Sequence, residues 1–291
     1  MKTIIVPFDF SVEAEAGLNL ALILAEKTDA NIQLVNVIPK NESSDSAIVE
    51  KQHEAASRKF EDILRKNKGK LKPNFELTYA VKEGKIFREI ASLSDSFEDV
   101  LTVLSTHGES GVDDLFIGGN AYKIVSHSKN PVITVRSSKK ILSFDKIVMP
   151  LDITFQTREK VPYTAKLAKL FNSKLHILTV TTTEDESIVK KLREYSEQVI
   201  SYVKYHKIPF SVEHLTGDNI TDITLEYANK IDANLISIMS EQEKSLSNLL
   251  LGSYAHQMIN KSLIPVLTFP NYQVRIVADD IWSLGEFNER L

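Results

Sequence analysis

The chain carries one pattern twice. Met1-Lys-Thr-Ile-Ile-Val-Pro-Phe-Asp-Phe-Ser11 recurs as Phe144-Asp-Lys-Ile-Val-Met-Pro-Leu-Asp-Ile-Thr154, so Asp9 and Asp152 both follow an apolar run and stand two residues before a Ser or Thr, at an offset of 152 − 9 = 143. Further on, the stretch from Phe116 through Gly118-Gly119 and Pro131 to Val135 returns from Leu250 through Gly252-Ser253 and Pro265 to Phe269, at an offset of 252 − 118 = 134. A repeat that keeps both ends and loses 143 − 134 = 9 residues between them implies two homologous domains, one with a shortened internal segment. The 291 residues agree with two domains at a prior of about 150 residues each. Their boundaries are read as 1–138 and 142–270, with a tail at 271–291.

Composition removes several function classes. Basic and acidic residues nearly balance, 35 against 39, and no Lys/Arg cluster stands out, so the electrostatic footprint of a nucleic-acid binder is missing. Without cysteine there is no disulfide framework, thiol catalysis or thiolate metal site. No apolar run reaches the roughly 18 residues of a membrane span, and the N-terminus enters a strand at once, which predicts a cytoplasmic protein with no membrane contact.

Apolar and β-branched runs predict strands at Thr3–Phe8, Asn31–Ile38, Phe75–Val81, Asp99–Ser105 and Pro131–Val135. Helical spacing predicts a helix after Ser11 through Ala14, Leu18, Ala21, Leu22 and Ala25, and others over Ser43 to about Lys68, Ile86–Ser94 and Asn120–Ser128. The second half repeats the strands near 146–150, 174–180, 210–214, 234–239 and 265–269. Thr181 to Thr183 followed by Glu184-Asp-Glu186 reads as a helix start with an acidic first turn, and so do Ser43, Ser44 and Asp45. Alternating strands and helices predict an α/β fold of two tandem doubly wound, mostly parallel five-stranded sheets. The missing residues fall mainly in the second crossover, and Ser137–Lys140 reads as the linker. The tail contains Ile276, Val277, Ile281, Trp282 and Phe287, an apolar content that predicts docking.

In such sheets ligands bind outside the carboxyl ends of the strands, where the strand order reverses. Asp9, Val37 and Ser105-Thr-His-Gly108 converge there, followed by Gly118-Gly119-Asn120 opening a helix. Glycines let backbone N–H groups approach a phosphate, and a helix N-terminus adds oriented donors. Glu109–Ile117 holds Glu109, Asp113 and Asp114 but no Lys or Arg, so binding would rest on backbone donors, with or without a metal ion.

These residues resemble the universal stress protein family in its tandem form, over about 1–136 and 144–269. The resemblance implies a Rossmann-like fold of the adenine nucleotide alpha hydrolase type and a stress-response protein that binds ATP or another adenine nucleotide, with or without Mg2+. Nucleotide-binding members carry G-x2-G-x9-G-[ST] after strand four, an Asp after strand one and a Val in strand two. Asp9 and Val37 match, Gly108 and Gly118 match, Ser105 stands for the first Gly and Gly119 for the Ser/Thr. The second half has Met239, Gln242, Gly252 and Ser253 in the same register. Gln242 puts a Cβ where a phosphate approaches, flanked by Glu241 and Glu243, which assigns the ligand to the first domain. The resemblance gives Asp9 and Val37 to the adenosine, and Gly108, Gly118, Gly119 and Asn120 to the phosphates as backbone or amide donors. Asn120 could also cap its helix in place of the lost hydroxyl.

Plainer readings stand beside these. Asp9 and Asp152 could be helix-flanking acids, and Gly118 and Gly252 a turn that the fold requires. His107 could be a surface histidine, and the other histidines form no i, i+4 pair, so no zinc site is expected. A receiver-type phospho-aspartate would want further acids where Pro7 and Phe8 stand. No Gly-x-Ser-x-Gly elbow or Gly-Lys-Ser/Thr loop occurs, and no general base is evident, so the protein reads as a sensor or regulator with at most weak ATPase activity. The resemblance implies an internal pair of the two domains through Val132–Val135 and Val266–Phe269, with a homodimer as a further assembly. The alternative class is an interaction module that has lost nucleotide binding and works through its tail and edge strands.

Overall fold

The computed structural model describes residues 1–40, 45–106, 118–136, 143–240, 243–244 and 249–270. The first half runs β1 (Thr3–Pro7), α1 (Val12–Thr28), β2 (Asn31–Ile38), α2 (Ser46–Asn67), β3 (Leu77–Glu83), α3 (Ile86–Asp95), β4 (Val100–Ser105), α4 (Gly119–His127) and β5 (Val132–Val135). In the second half β6 (Lys146–Leu151) leads through a 3₁₀ turn (Phe155–Arg158) to α5 (Val161–Phe171), β7 (Lys174–Thr181), α6 (Glu186–Tyr205), β8 (Phe210–Thr216), α7 (Ile220–Lys230) and β9 (Leu235–Met239). A short hairpin of β10 (Glu243–Lys244) and β11 (Leu249–Leu250) precedes α8 (Ser253–Lys261) and β12 (Val266–Phe269). The predicted linker at Ser137–Lys140 and the tail at 271–291 lie outside the described residues.

Local chemistry accounts for the element ends. Ser11 caps α1 by accepting the Ala14 N–H at 3.1 Å, and Asp29 ends it in the left-handed region (φ 54°), its N–H returning to the Ala25 carbonyl at 3.0 Å. The start of α2 falls to Asp45, which accepts the Ala47 N–H at 2.9 Å; Ser43 and Ser44 are outside the described residues. The start of α6 falls later than the reading of Thr181 to Thr183 followed by an acidic first turn: Thr181 still belongs to β7, Asp185 is the cap and accepts the Ser187 N–H at 2.8 Å, and only Glu186 of the acidic run lies in the first turn. Strand β3 begins two residues later than the alternation of Phe75 suggests, because the Phe75 N–H closes a turn onto Lys72. From β2 to β3 the chain advances 77 − 38 = 39 residues, and from β7 to β8 only 210 − 181 = 29. Helices α2 and α6 differ by 22 − 20 = 2 residues, so the shortening falls mostly in the connections at their ends.

The strands form one ten-stranded sheet in the order β3-β2-β1-β4-β5-β12-β9-β6-β7-β8, parallel within each half and antiparallel where β5 meets β12. The two predicted five-stranded sheets are thus fused into one. Alternate strand residues feed two cores: Ile4 and Val6 face Leu18 and Phe60, on the side of α1, α2, α5 and α6, while Ile5 faces Ile90 and Ile124, on the side of α3, α4, α7 and α8. At the seam Ile133 pairs with Leu267, its own counterpart in the repeat. Thr134 Oγ1 donates to the Val266 carbonyl at 3.4 Å, and its counterpart Thr268 Oγ1 donates to Val132 at 3.1 Å. A pseudo-two-fold axis therefore passes through the Ile133/Leu267 pair. Strands that follow a proline and look like edges are the middle of the molecule.

Candidate functional site

In the first half the chain leaves β1 toward β2 and β3 on one side and returns to β4 and β5 on the other, so the order reverses between β1 and β4. At the carboxyl ends of these strands lies a cavity of about 140 Å³. Pro7, Phe8 and Asp9 line it from β1, Val35, Asn36 and Val37 from β2, Leu104 to Thr106 from β4, Ile86 and Ile90 from α3, and Gly118 to Ala121 from the start of α4. The topology brings Asp9, Val37, Gly118, Gly119 and Asn120 to this one cavity; Gly108 and His107 lie outside the described residues.

Asp9 Oδ1 accepts the Ser11 N–H at 3.1 Å and the Ser11 hydroxyl at 2.5 Å, while that hydroxyl accepts the Ala14 N–H. Asp152 does the same with Thr154, at 2.7 and 2.5 Å. This turn is therefore part of the fold in both halves, and only its address on the cavity sets Asp9 apart. Between Asp9 and Ser11, Phe10 takes a left-handed φ of 68°. Such strain costs on the order of 1 kcal/mol, and it is offset by ring contacts with Phe60 at 4.8 Å and Phe8 at 5.7 Å. Val37 is buried at the cavity wall. Beside it Asn36 donates its amide to the Phe8 carbonyl at 2.8 Å, tying β2 to the turn that carries Asp9.

The other end of the cavity is made by α4. Gly118 donates its N–H to the Thr106 carbonyl at 2.7 Å, so its backbone donor is committed within the fold. A Cβ on Gly118 would stand 3.2 Å from that carbonyl, which accounts for glycine there; Gly252 donates to Ser240 at 3.2 Å in the same way. The first intrahelical bond runs from Tyr122 N–H to Gly118. The N–H groups of Gly119, Asn120 and Ala121 come ahead of it, in the turn whose donors have no partner one turn back. Asn120 is the second helical residue and Gly118 the N-cap, with no side-chain cap bond. The expectation that Asn120 caps α4 is thus corrected: the helix starts one residue earlier than predicted.

Asp9 is the only ionisable group among the described lining residues, and there is no cation among them. Asn36, Ser105, Thr106 and Asn120 supply the remaining polar side chains. No group of three or more His, Asp or Glu that could hold a metal occurs among the described residues. Sequence reading missed Asn36, Ile86, Ile90 and Ala14 as lining. The first three lie on the second strand and third helix, and only the sheet order brings them to β1.

The matched edge of the second half is built differently. Thr157 replaces Ala14 and Lys160 replaces Gly17 in the repeat register. Lys160 is buried and donates to the Thr157 carbonyl at 2.6 Å and hydroxyl at 3.1 Å, while that hydroxyl accepts the Asp152 N–H at 3.2 Å. Its own side chains pack where the first half has small residues. Gln242 lies outside the described residues.

Comparison with known proteins agrees with the internal repeat. The model of the universal stress protein family matches twice, at residues 1–136 and 143–270. A Staphylococcus saprophyticus protein that bears the universal stress protein name is 28% identical over 145 residues, covering 47% of this chain and 85% of that one. The structure of a universal stress protein from Archaeoglobus fulgidus superposes with a TM-score of 0.75 at 20% identity, covering 92% of this chain and 98% of that one. A shorter universal stress protein from Archaeoglobus fulgidus, solved in complex with dAMP, is 21% identical with a TM-score of 0.36 and covers 44% of this chain and 98% of its own.

Proposed function

The chain belongs to the universal stress protein family, and from that premise we propose that its first domain (1–138) binds an adenine nucleotide while the second (142–270), followed by the tail at 271–291, does not. The protein then acts in the cytoplasm as a stress-response sensor or regulator, with at most weak ATPase activity. No described helix is long and apolar enough to cross a membrane.

The observation that carries this reading is the cavity that joins Asp9 and Val37 to the first turn of α4. Its apolar walls, Val35, Val37, Ile86, Ile90 and Leu104, suit a flat base, and its α4 end offers oriented N–H donors to a phosphate. Asp9 and Val37 hold the adenosine end, and Gly119 and Asn120 the phosphate end; Gly118 sets the turn. Gly108 keeps the phosphate role that the family pattern gives it.

Calorimetric titration of the full chain with adenosine, AMP and ATP tests the reading. Binding in the micromolar range or tighter is expected for AMP or ATP. It should be weakened in Gly119→Phe, whose Cβ would meet nothing within 4 Å and whose ring adds bulk beside the first turn of α4. No heat with any of the three ligands sinks the assignment. Unchanged binding in Gly119→Phe moves the site elsewhere, and Gly108→Gln, which copies Gln242, tests the loop position separately.

A further inference from the structure

Tyr122 and His256 stand 134 residues apart, the offset that also separates Gly118 from Gly252, and their rings meet edge to face at 5.3 Å. A position that touches its own counterpart marks the pseudo-two-fold axis. Helices α4 and α8 therefore meet through these two side chains, each close behind its first turn.

The contact is not symmetrical. Tyr122 Oη accepts the backbone N–H of Leu251 at 3.2 Å, and Leu251 is a buried residue just before the Gly252 N-cap of α8. His256 turns its ring to its own helix, Nε2 lying 3.0 Å from Asn260 Nδ2. A second strut joins the halves nearby, where the Arg136 guanidinium donates to the Asn260 carbonyl. The first domain's helix is thus held through a side-chain hydroxyl by the segment of the second domain that corresponds to the family's phosphate loop.

Tyr122 is the fourth residue of α4, and the three before it supply the N–H groups at the phosphate end of the cavity. We propose that Tyr122 is a positioning residue for the first domain's site, and that the second domain's Leu251, just ahead of α8, serves as its brace. This rests on the nucleotide reading above. A buried N–H keeps an acceptor wherever one is within reach, so Leu251 holds the phenol, and the phenol holds the turn of α4 that faces the ligand. The second copy has exchanged ligand binding for setting the geometry of the first.

Tyr122→Phe removes the acceptor and leaves the ring. AMP affinity should fall about three- to tenfold, the loss of one aligned hydrogen-bonding arrangement. Adenosine, held at the Asp9/Val37 end, should bind within about twofold of the unaltered protein on the same argument. Tyr122→His, which copies the second domain, should behave alike. In the unaltered protein, AMP should slow hydrogen exchange at the Leu251 amide more than adenosine does, because coupling between the two is reciprocal. Equal losses for AMP and adenosine, or no loss at all, overturn the positioning role. So does an unchanged Leu251 exchange rate on AMP binding, a reading that needs no variant. If the unaltered protein binds adenosine and AMP equally, the brace fails while a nucleoside site survives; if it binds neither, the nucleotide reading itself falls.

Discussion

Restoring a hydroxyl to the start of α4 should strengthen phosphate binding in the first domain. Gly119 stands where Ser253 follows Gly252 in the second half, and the two helices begin with nearly the same N-cap geometry, φ/ψ of −57°/141° and −58°/151°. A Cβ on Gly119 would meet nothing within 4 Å, so Gly119→Ser adds atoms to open space and displaces no backbone. One new hydrogen bond from the hydroxyl to a phosphate oxygen contributes about 0.5–1.5 kcal/mol, or roughly two- to twelvefold in affinity. Replacing helical glycine by serine adds a few tenths of a kcal/mol of stability by backbone entropy alone, and Gly119→Ala isolates that part. The assay is calorimetry with AMP and adenosine on the unaltered protein, Gly119→Ser and Gly119→Ala. AMP should tighten in the serine variant only, with adenosine unchanged. Equal gains in the serine and alanine variants would refute the hydroxyl argument, and a gain for adenosine would place the nucleoside, not the phosphate, at α4.

Two further outcomes concern stability. His176 is buried on β7, bonded through Nδ1 to Tyr227 Oη at 2.9 Å and Ser211 Oγ at 3.0 Å; burial first, then Lys174 and Lys146, push its pKa down from 6.5 to about 4. The unfolded chain takes up this proton first, so stability is intact above about pH 6.5 and is lost as pH falls toward 4, by up to about 3 kcal/mol. Chemical denaturation between pH 4 and 7 should show this slope, and His176→Gln should flatten it; equal slopes would assign the acid sensitivity to other groups. Gly17 lies inside α1 with ordinary contacts for a Cβ, 3.6 Å from Val6 and 3.7 Å from the backbone of Ser105 and Val103. Gly17→Ala should therefore stabilise the protein by about 0.5–1 kcal/mol, read as a rise in Tm, and a fall in Tm would mean that α1 is pressed closer to β4 than these distances say.

Much of the architecture was legible because its causes are local. β2 ends where the sequence puts it and Ser11 caps α1 as expected, while the pairing of the strands after Pro131 and Pro265 across the seam followed from the family resemblance. Local signals erred where a neighbouring group competed: the Phe75 turn delays β3, and α4 starts at Gly119, one residue ahead of Asn120, with Gly118 as its N-cap. The candidate site was half legible. Asp9, Val37 and the start of α4 are short motifs, but the lining by Asn36, Ile86 and Ile90 depends on which strand lies beside which. The bond from Leu251 to Tyr122 spans 129 residues and involves a backbone donor, which leaves no trace in side-chain pattern.

The antiparallel seam at Ile133 and Leu267 also bears on what tethering does for a duplicated protein. Separate domains joined through such strands would part on dilution, whereas one chain holds its two copies at an effective concentration in the millimolar range. Partnership no longer depends on each copy keeping a good ligand site or a high cellular abundance. A tethered copy is free to differ at its own sheet edge, where Thr157 and Lys160 stand at the register of Ala14 and Gly17, while the other half goes on sharing its hydrogen-bond ladder.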